Sequence, residues 1–127
     1  MDSDRFSPIG RMVRLALEED LGPGDATTRA VVDPHTPGDA ILIAREEMIL
    51  AGMAVFKRTF LEVDATLAFV TRYEDGEVVP EGATVCRIKG RLASILSGER
   101  TALNFLQRMS GIATLTRRYV EAIQGSR

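Results

Sequence analysis

From Gly90 to Gln124 the chain runs without a proline: GRLASILSGERTALNFLQRMSGIATLTRRYVEAIQ. Its apolar residues Leu92, Ile95, Leu96, Leu103, Leu106, Met109, Ala113 and Val120 recur mostly three and four positions apart, the period of an amphipathic helix. A helix of that length spans roughly 50 Å, and the rest of the chain has to supply a platform for it. The opposite face is unusual. Arg100, Asn104 and Arg108 follow at four-residue steps and stack along one side. Small residues (Ser97, Gly98, Thr101, Gly111 and Thr114) are read as surrounding them. A solvated face would mix Glu with Lys. This one reads as a surface into which an anion or another subunit packs.

Charge follows the same division. A chain of 127 residues is read as one domain with a real core. Its net charge of −2 argues against general nucleic-acid binding. Residues 1–84 hold 8 basic and 16 acidic side chains, and residues 85–127 hold 8 basic and 2 acidic. An anionic partner should therefore meet the helical half. Of the 16 basic residues 14 are Arg, which suits bidentate carboxylate or phosphate contacts but equally fits genomic composition. The one cysteine, Cys86, rules out an internal disulfide and reads as a small strand residue. No apolar run approaches the roughly 20 residues of a membrane span. The N-terminus lacks the basic-then-apolar pattern of a secretory signal. The expectation is a cytoplasmic protein without membrane or nucleic-acid partners.

In order, Ser7-Pro8 reads as the N-cap and first residue of a helix. Ile9, Met12, Val13, Ala16 and Leu17 share its face, and it ends near Asp20 before Gly22-Pro23-Gly24. Asp25 is read as a cap on a short helical turn made by the residues after it. Ala40–Ala44 and Met48–Ala51 suit strands, joined through Arg45-Glu46-Glu47. Gly52 opens a helix with Met53, Val55, Phe56, Thr59, Phe60 and Val63 on its inner side, closed by Asp64. Thr66–Tyr73, Val78-Val79 and Ala83–Lys89 read as strands separated by the Asp75-Gly76 and Pro80-Glu81-Gly82 turns. The sum is an α+β domain, a mainly antiparallel sheet with helices packed on one face and a long C-terminal helix.

Elsewhere the chemistry is sparse. His35 stands alone in a proline-flanked loop and reads as exposed. With one His and one Cys a zinc site is not expected. Glu18-Glu19-Asp20 with Asp25 reads either as solvated acid or as an attraction for Mg²⁺, with solvated acid favoured. The glycines around Pro23 lack the Lys-Ser/Thr of a phosphate loop. The run Asp75 to Val85 resembles the half-motif of biotinyl and lipoyl carrier domains, but no lysine stands at its tip. No general acid/base pair or activated nucleophile emerges. The residues alone stop at an anion-contacting helix on an α+β platform.

Three segments carry a more specific resemblance. Residues 97–114, SGERTALNFLQRMSGIAT, resemble the ER-x-x-LN-x-L-x-x-x-SGIAT signature of quinolinate phosphoribosyltransferase, the carboxylating nicotinate-nucleotide pyrophosphorylase. Residues 16–28, ALEEDLGPGDATT, resemble that family's EDLG-x-GD-x-T segment. Ile49-Leu50-Ala51-Gly52 resembles the passage from its second strand into the next helix. The resemblance implies an N-terminal domain with a hammerhead-like hairpin, followed in the family by an incomplete α/β barrel that this sequence does not reach. The implied reaction joins quinolinate to phosphoribosyl pyrophosphate, giving nicotinate mononucleotide, pyrophosphate and CO₂ for NAD biosynthesis with Mg²⁺. The implied assembly is a homodimer or higher homo-oligomer in which this domain covers the partner's barrel.

On that resemblance Arg100 reaches a quinolinate carboxylate in the partner subunit, as a charge-assisted fork. Glu99, Asn104, Arg108 and Ser110 take supporting or interface roles. Residues 1–127 are expected to be a single N-terminal domain that holds no catalytic residue, metal ligand or cofactor of its own and is inactive alone. A related pyridine-carboxylate phosphoribosyltransferase and a non-catalytic interaction domain remain as alternatives.

Overall fold

The computed structural model describes residues 7–21, 33 and 35–125. Helix α1 spans Pro8–Leu21. Its start is as the sequence indicates: Ser7 Oγ accepts the Gly10 amide at 3.0 Å, an N-cap on a Pro-initiated helix. Its buried face is narrower than the periodicity implies. Val13 and Leu17 are buried, whereas Ile9 and Met12 are exposed. α1 rests mainly on helix α2 (Met53–Val63), where Val13 and Leu17 meet Val55, with Val63 and Phe105 at the margin. The turn expected after Asp25 lies outside the described residues.

Five strands follow the expected order but divide between two sheets. β1 (Pro37–Ile43), β5 (Thr84–Arg91) and β3 (Ala68–Thr71) form an antiparallel sheet in the order β1-β5-β3. β2 (Met48–Ile49) and β4 (Val78–Val79) form a separate two-stranded ribbon. Alternation gives the larger sheet one wet face and one dry face. Ala40, Leu42, Phe69, Cys86 and Ile88 point inward, while Asp39, Ile41, Val70, Arg87 and Lys89 point to solvent. In register, Ala40 opposes Ile88, which opposes Phe69. Cys86 is a fully buried strand residue whose thiol burial pushes toward the protonated form.

Helix α3 runs from Leu92 to Gly125, the long helix of the sequence. Its first amide extends the β1–β5 ladder by donating to the Thr36 carbonyl at 2.9 Å. Between α2, α3 and the sheet lies the main core, with Phe56, Phe60, Leu50, Val79, Val85, Ile95, Ala102 and Leu106 buried. Phe56 and Phe60 meet edge to face, with centroids 5.2 Å apart and planes at 72°, the geometry that the ring quadrupoles favour.

Two expectations about α3 are corrected. Leu96, Met109 and Val120 are exposed to 37–43% and do not belong to its core face. Residues 115–125 are exposed throughout, because the platform ends before the helix does. The small residues, moreover, do not all frame the Arg stripe. Gly98 and Thr101 are buried on the packing side, where they let α2 approach. A Cβ on Gly98 would lie 2.9 Å from Phe60 Cδ1.

Candidate functional site

At about 100° per residue, Arg100, Asn104 and Arg108 fan over about 80° of the helix surface. Ile95, Gly98, Ala102 and Leu106, on the opposite side, are buried. All three stripe residues are exposed, as is Glu99. The stripe thus faces away from the platform, and two guanidinium groups and an amide are presented outward. Such a set can bind a carboxylate or phosphate brought to it. It contains no base or nucleophile to transform one.

Ser110 stands apart from this stripe. It is 2% exposed and faces the ribbon. Its hydroxyl accepts the Ala51 amide at 3.0 Å and donates to the Ala51 carbonyl at 3.1 Å. One turn on, Thr114 Oγ1 accepts the Ile49 amide at 2.9 Å and donates to the Ser110 carbonyl at 2.7 Å. On the other edge of the same segment, Leu50 donates to Glu77 and accepts from Gly76. Two helix hydroxyls therefore take the place of a strand along the outer edge of β2. The helix continues unbroken through Ser110 and Gly111 to Gly125. Thr114 is legible in the sequence only as a small residue. Its pairing needs the register of β2 against the helix, which no spacing in the sequence displays.

The next residues are held as firmly. Asp75 Oδ2 and Oδ1 accept the Gly52 and Met53 amides at 3.0 and 3.2 Å, capping α2 from the β3–β4 turn and placing negative charge on its positive end. Gly52 has φ 94°, and a Cβ there would lie 2.7 Å from Met109 Sδ. A side chain at this position would meet both backbone strain and α3.

A second tie escapes the sequence reading. Thr101, beside Arg100, donates to Asp20 Oδ2 at 2.6 Å. Asp20 reads in sequence as one of three solvated acids. All three are exposed, and Asp20 in addition fastens the end of α1 to the turn of α3 that carries Arg100. At the start of α3, Asp64 accepts from the Thr66 hydroxyl at 2.6 Å, the Thr66 amide at 2.9 Å and the Ser94 hydroxyl at 2.7 Å, with Arg91 at 3.8 Å. Those bonds, the Thr66 hydroxyl first, hold its pKa down at about 2 against the opposing effect of burial. On the outer sheet face Arg87 forks onto Asp39 at 2.8 and 2.5 Å. That fork lowers the pKa of Asp39 and raises that of Arg87.

A groove of about 1060 Å³ opens between the β1–β2 connection and α3, lined by Ile41, Met48, Leu106, Gln107, Gly111 and Leu115 among others. Arg100 and Asn104 are not part of it. His35 is exposed, with its amide on Asp33 Oδ1 at 2.7 Å. Among the described residues no three His, Cys, Asp or Glu side chains converge as metal ligands. Among them, too, no helix is long and apolar enough to cross a membrane.

Comparison with known proteins places this arrangement. The profile of the quinolinate phosphoribosyl transferase N-terminal domain matches residues 25–110, more than half of the chain. The chain belongs to this family. A quinolinate phosphoribosyltransferase [decarboxylating] 1b of Nicotiana tabacum is 40% identical over 112 residues, 87% of this chain and 32% of the relative. A probable nicotinate-nucleotide pyrophosphorylase [carboxylating] of Bacillus subtilis is 36% identical over 105 residues, 83% of this chain and 36% of the relative. The crystal structure of NadC from Streptococcus pyogenes superposes with a TM-score of 0.84 at 41% identity, over 90% of this chain and 41% of that one. The chain thus spans about a third of the length of the curated relatives it matches. The α+β fold is that of a quinolinate phosphoribosyl transferase N-terminal domain, and no barrel is present among the described residues.

Proposed function

We propose that this domain serves a phosphoribosyltransferase that converts quinolinate and phosphoribosyl pyrophosphate to nicotinate mononucleotide, pyrophosphate and CO₂, in NAD biosynthesis. Its part is to cover the catalytic opening of a second subunit in a homodimer or larger homo-oligomer and to deliver Arg100 to a quinolinate carboxylate. The observation that carries this reading is Arg100. It is exposed on the side of α3 turned away from its own core, in the segment that matches the family. Glu99, Asn104 and Arg108 flank it as supporting or interface residues. Catalytic groups and Mg²⁺ are assigned to parts of the enzyme outside these residues. A cytoplasmic setting is proposed from the unpaired, buried Cys86, which suits a reducing compartment. Plant relatives named mitochondrial show that such domains also serve in organelles.

A domain exchange tests the reading. This chain replaces the corresponding N-terminal part of the Bacillus subtilis relative, and release of CO₂ from quinolinate is followed with phosphoribosyl pyrophosphate present. The chimera is expected to turn over, and this chain alone is not. Arg100→Ala in the chimera should raise KM for quinolinate about 10- to 100-fold, the loss of a charge-assisted contact of roughly 1.5–3 kcal/mol. An unchanged KM removes Arg100 from the substrate, and turnover by this chain alone overturns the assignment of catalysis elsewhere.

A further inference from the structure

Ser110 and Thr114 make contacts that a helix resting on a sheet by apolar packing does not need. Apolar packing tolerates small rotations, because dispersion and burial are not directional. Hydrogen bonds are directional. The Ile49 and Ala51 amides point to the same side of an extended segment, and each meets one hydroxyl, four residues apart on α3. A slip of α3 by one residue rotates every side chain by about 100°. Both amides would then be left without partners at part-buried positions, a cost added to that of turning the buried face of the helix outward. Met109 packs close to Gly52 at the same turn, its sulfur 2.7 Å from where a Cβ on Gly52 would lie. Upstream the helix is regular from Leu92 onward, so its rotation at Ser110 is coupled to its rotation at Arg100, where Thr101 is tied to Asp20.

We propose that Ser110 and Thr114 are positioning residues: their hydroxyls, bonded along the edge of β2, set the rotation of α3 and thereby the direction in which Arg100 is presented. The proposal deepens the reading of Arg100 as a substrate contact and rests on it for its purpose. The geometric claim is tested without substrate.

Spin labels placed at Arg100→Cys and Lys89→Cys, both exposed positions, report the distance from the stripe to the sheet by double electron–electron resonance. Cys86 is fully buried and stays in place. The parent chain should give a single narrow distance. Ser110→Ala with Thr114→Val should shift that distance or lose its narrow width while helical circular dichroism is retained. Thr114→Ser, which keeps the hydroxyl, should restore it in the Thr114 series. Ile95→Val trims the core face of the same helix without touching either hydroxyl and should leave the distance narrow, which separates positioning from general loosening. Should the double variant not fold, Thr114→Val alone is read in the same way. A narrow, unmoved distance in the hydroxyl-free variants overturns the proposal. A normal KM for quinolinate in the Arg100→Ala chimera would instead overturn the substrate reading and leave the distance result standing.

Discussion

Asp64 shows how one carboxylate joins two elements. It closes α2 through its backbone amide, which donates to the Phe60 carbonyl at 2.9 Å, and it holds the first turn of α3 through Ser94. Its folded pKa of about 2 lies below the usual value of 3.8. Its contribution is therefore fully present above about pH 4 and is lost as pH falls through the window from 3.8 to 2. The carboxylate sits just under the surface, so solvent screening trims the effect, and on the order of 1–2 kcal/mol is expected. Urea midpoints measured between pH 5 and pH 2.5 should fall for the parent chain. Asp64→Asn should start lower at pH 5 and fall less. Equal slopes in the two proteins would remove Asp64 as the source, leaving Asp39, whose fork with Arg87 lowers its pKa in the same sense.

Two glycines of α3 obey opposite rules for reasons that belong to the element. Gly98 faces α2, where a Cβ would lie 2.9 and 3.2 Å from Phe60 Cδ1 and Cε1. Phe60 is itself held edge to face by Phe56. Ala gains roughly 1 kcal/mol of helix propensity over Gly, but overpacking costs roughly 1–3 kcal/mol, so Gly98→Ala should lower the thermal midpoint. Gly111 is exposed, and a Cβ there would meet nothing within 4 Å. There the propensity term acts alone, and Gly111→Ala should stabilise by up to about 1 kcal/mol. Two midpoints moving in the same direction would contradict this account. The pair also marks where the sequence stops being readable. Periodicity located α3 and α2 and placed Phe56, Phe60 and Leu106 in the core, because burial follows the helix period. It could not separate an inward glycine from an outward one near the edge of a stripe, because that depends on which neighbour approaches. The division of the strands into two sheets escaped for a similar reason: β2 and β4 are two residues each, and their pairing is decided by the turns and by Asp75.

Across the whole molecule, burial declines along α3 in a way the sequence does not announce. Arg100 and its neighbours could be singled out from spacing and motif. The contacts that hold them, Asp20 on Thr101 and Ser110 on Ala51, join residues 81 and 59 positions apart and are visible only when folded. Beyond Thr114 those contacts end. Residues 115–125 are exposed on every side, and Ile112, Leu115 and Tyr119 expose 60–69% of their surface. A helical segment this short has little stability of its own in water, so it persists by continuing a helix anchored upstream. Amide exchange in the dilute chain should therefore be slow at residues 102–110 and approach the unprotected rate beyond Arg118. Truncation after Arg118 should change the stability of the remainder by less than about 0.5 kcal/mol. On the proposed homo-oligomeric reading, raising the concentration should slow exchange in the segment beyond Arg118, where Ile112, Leu115 and Tyr119 lead an exposed apolar stripe. Strong protection there in the dilute chain, or a large loss of stability on truncation, would show that the helix end is held by the domain itself.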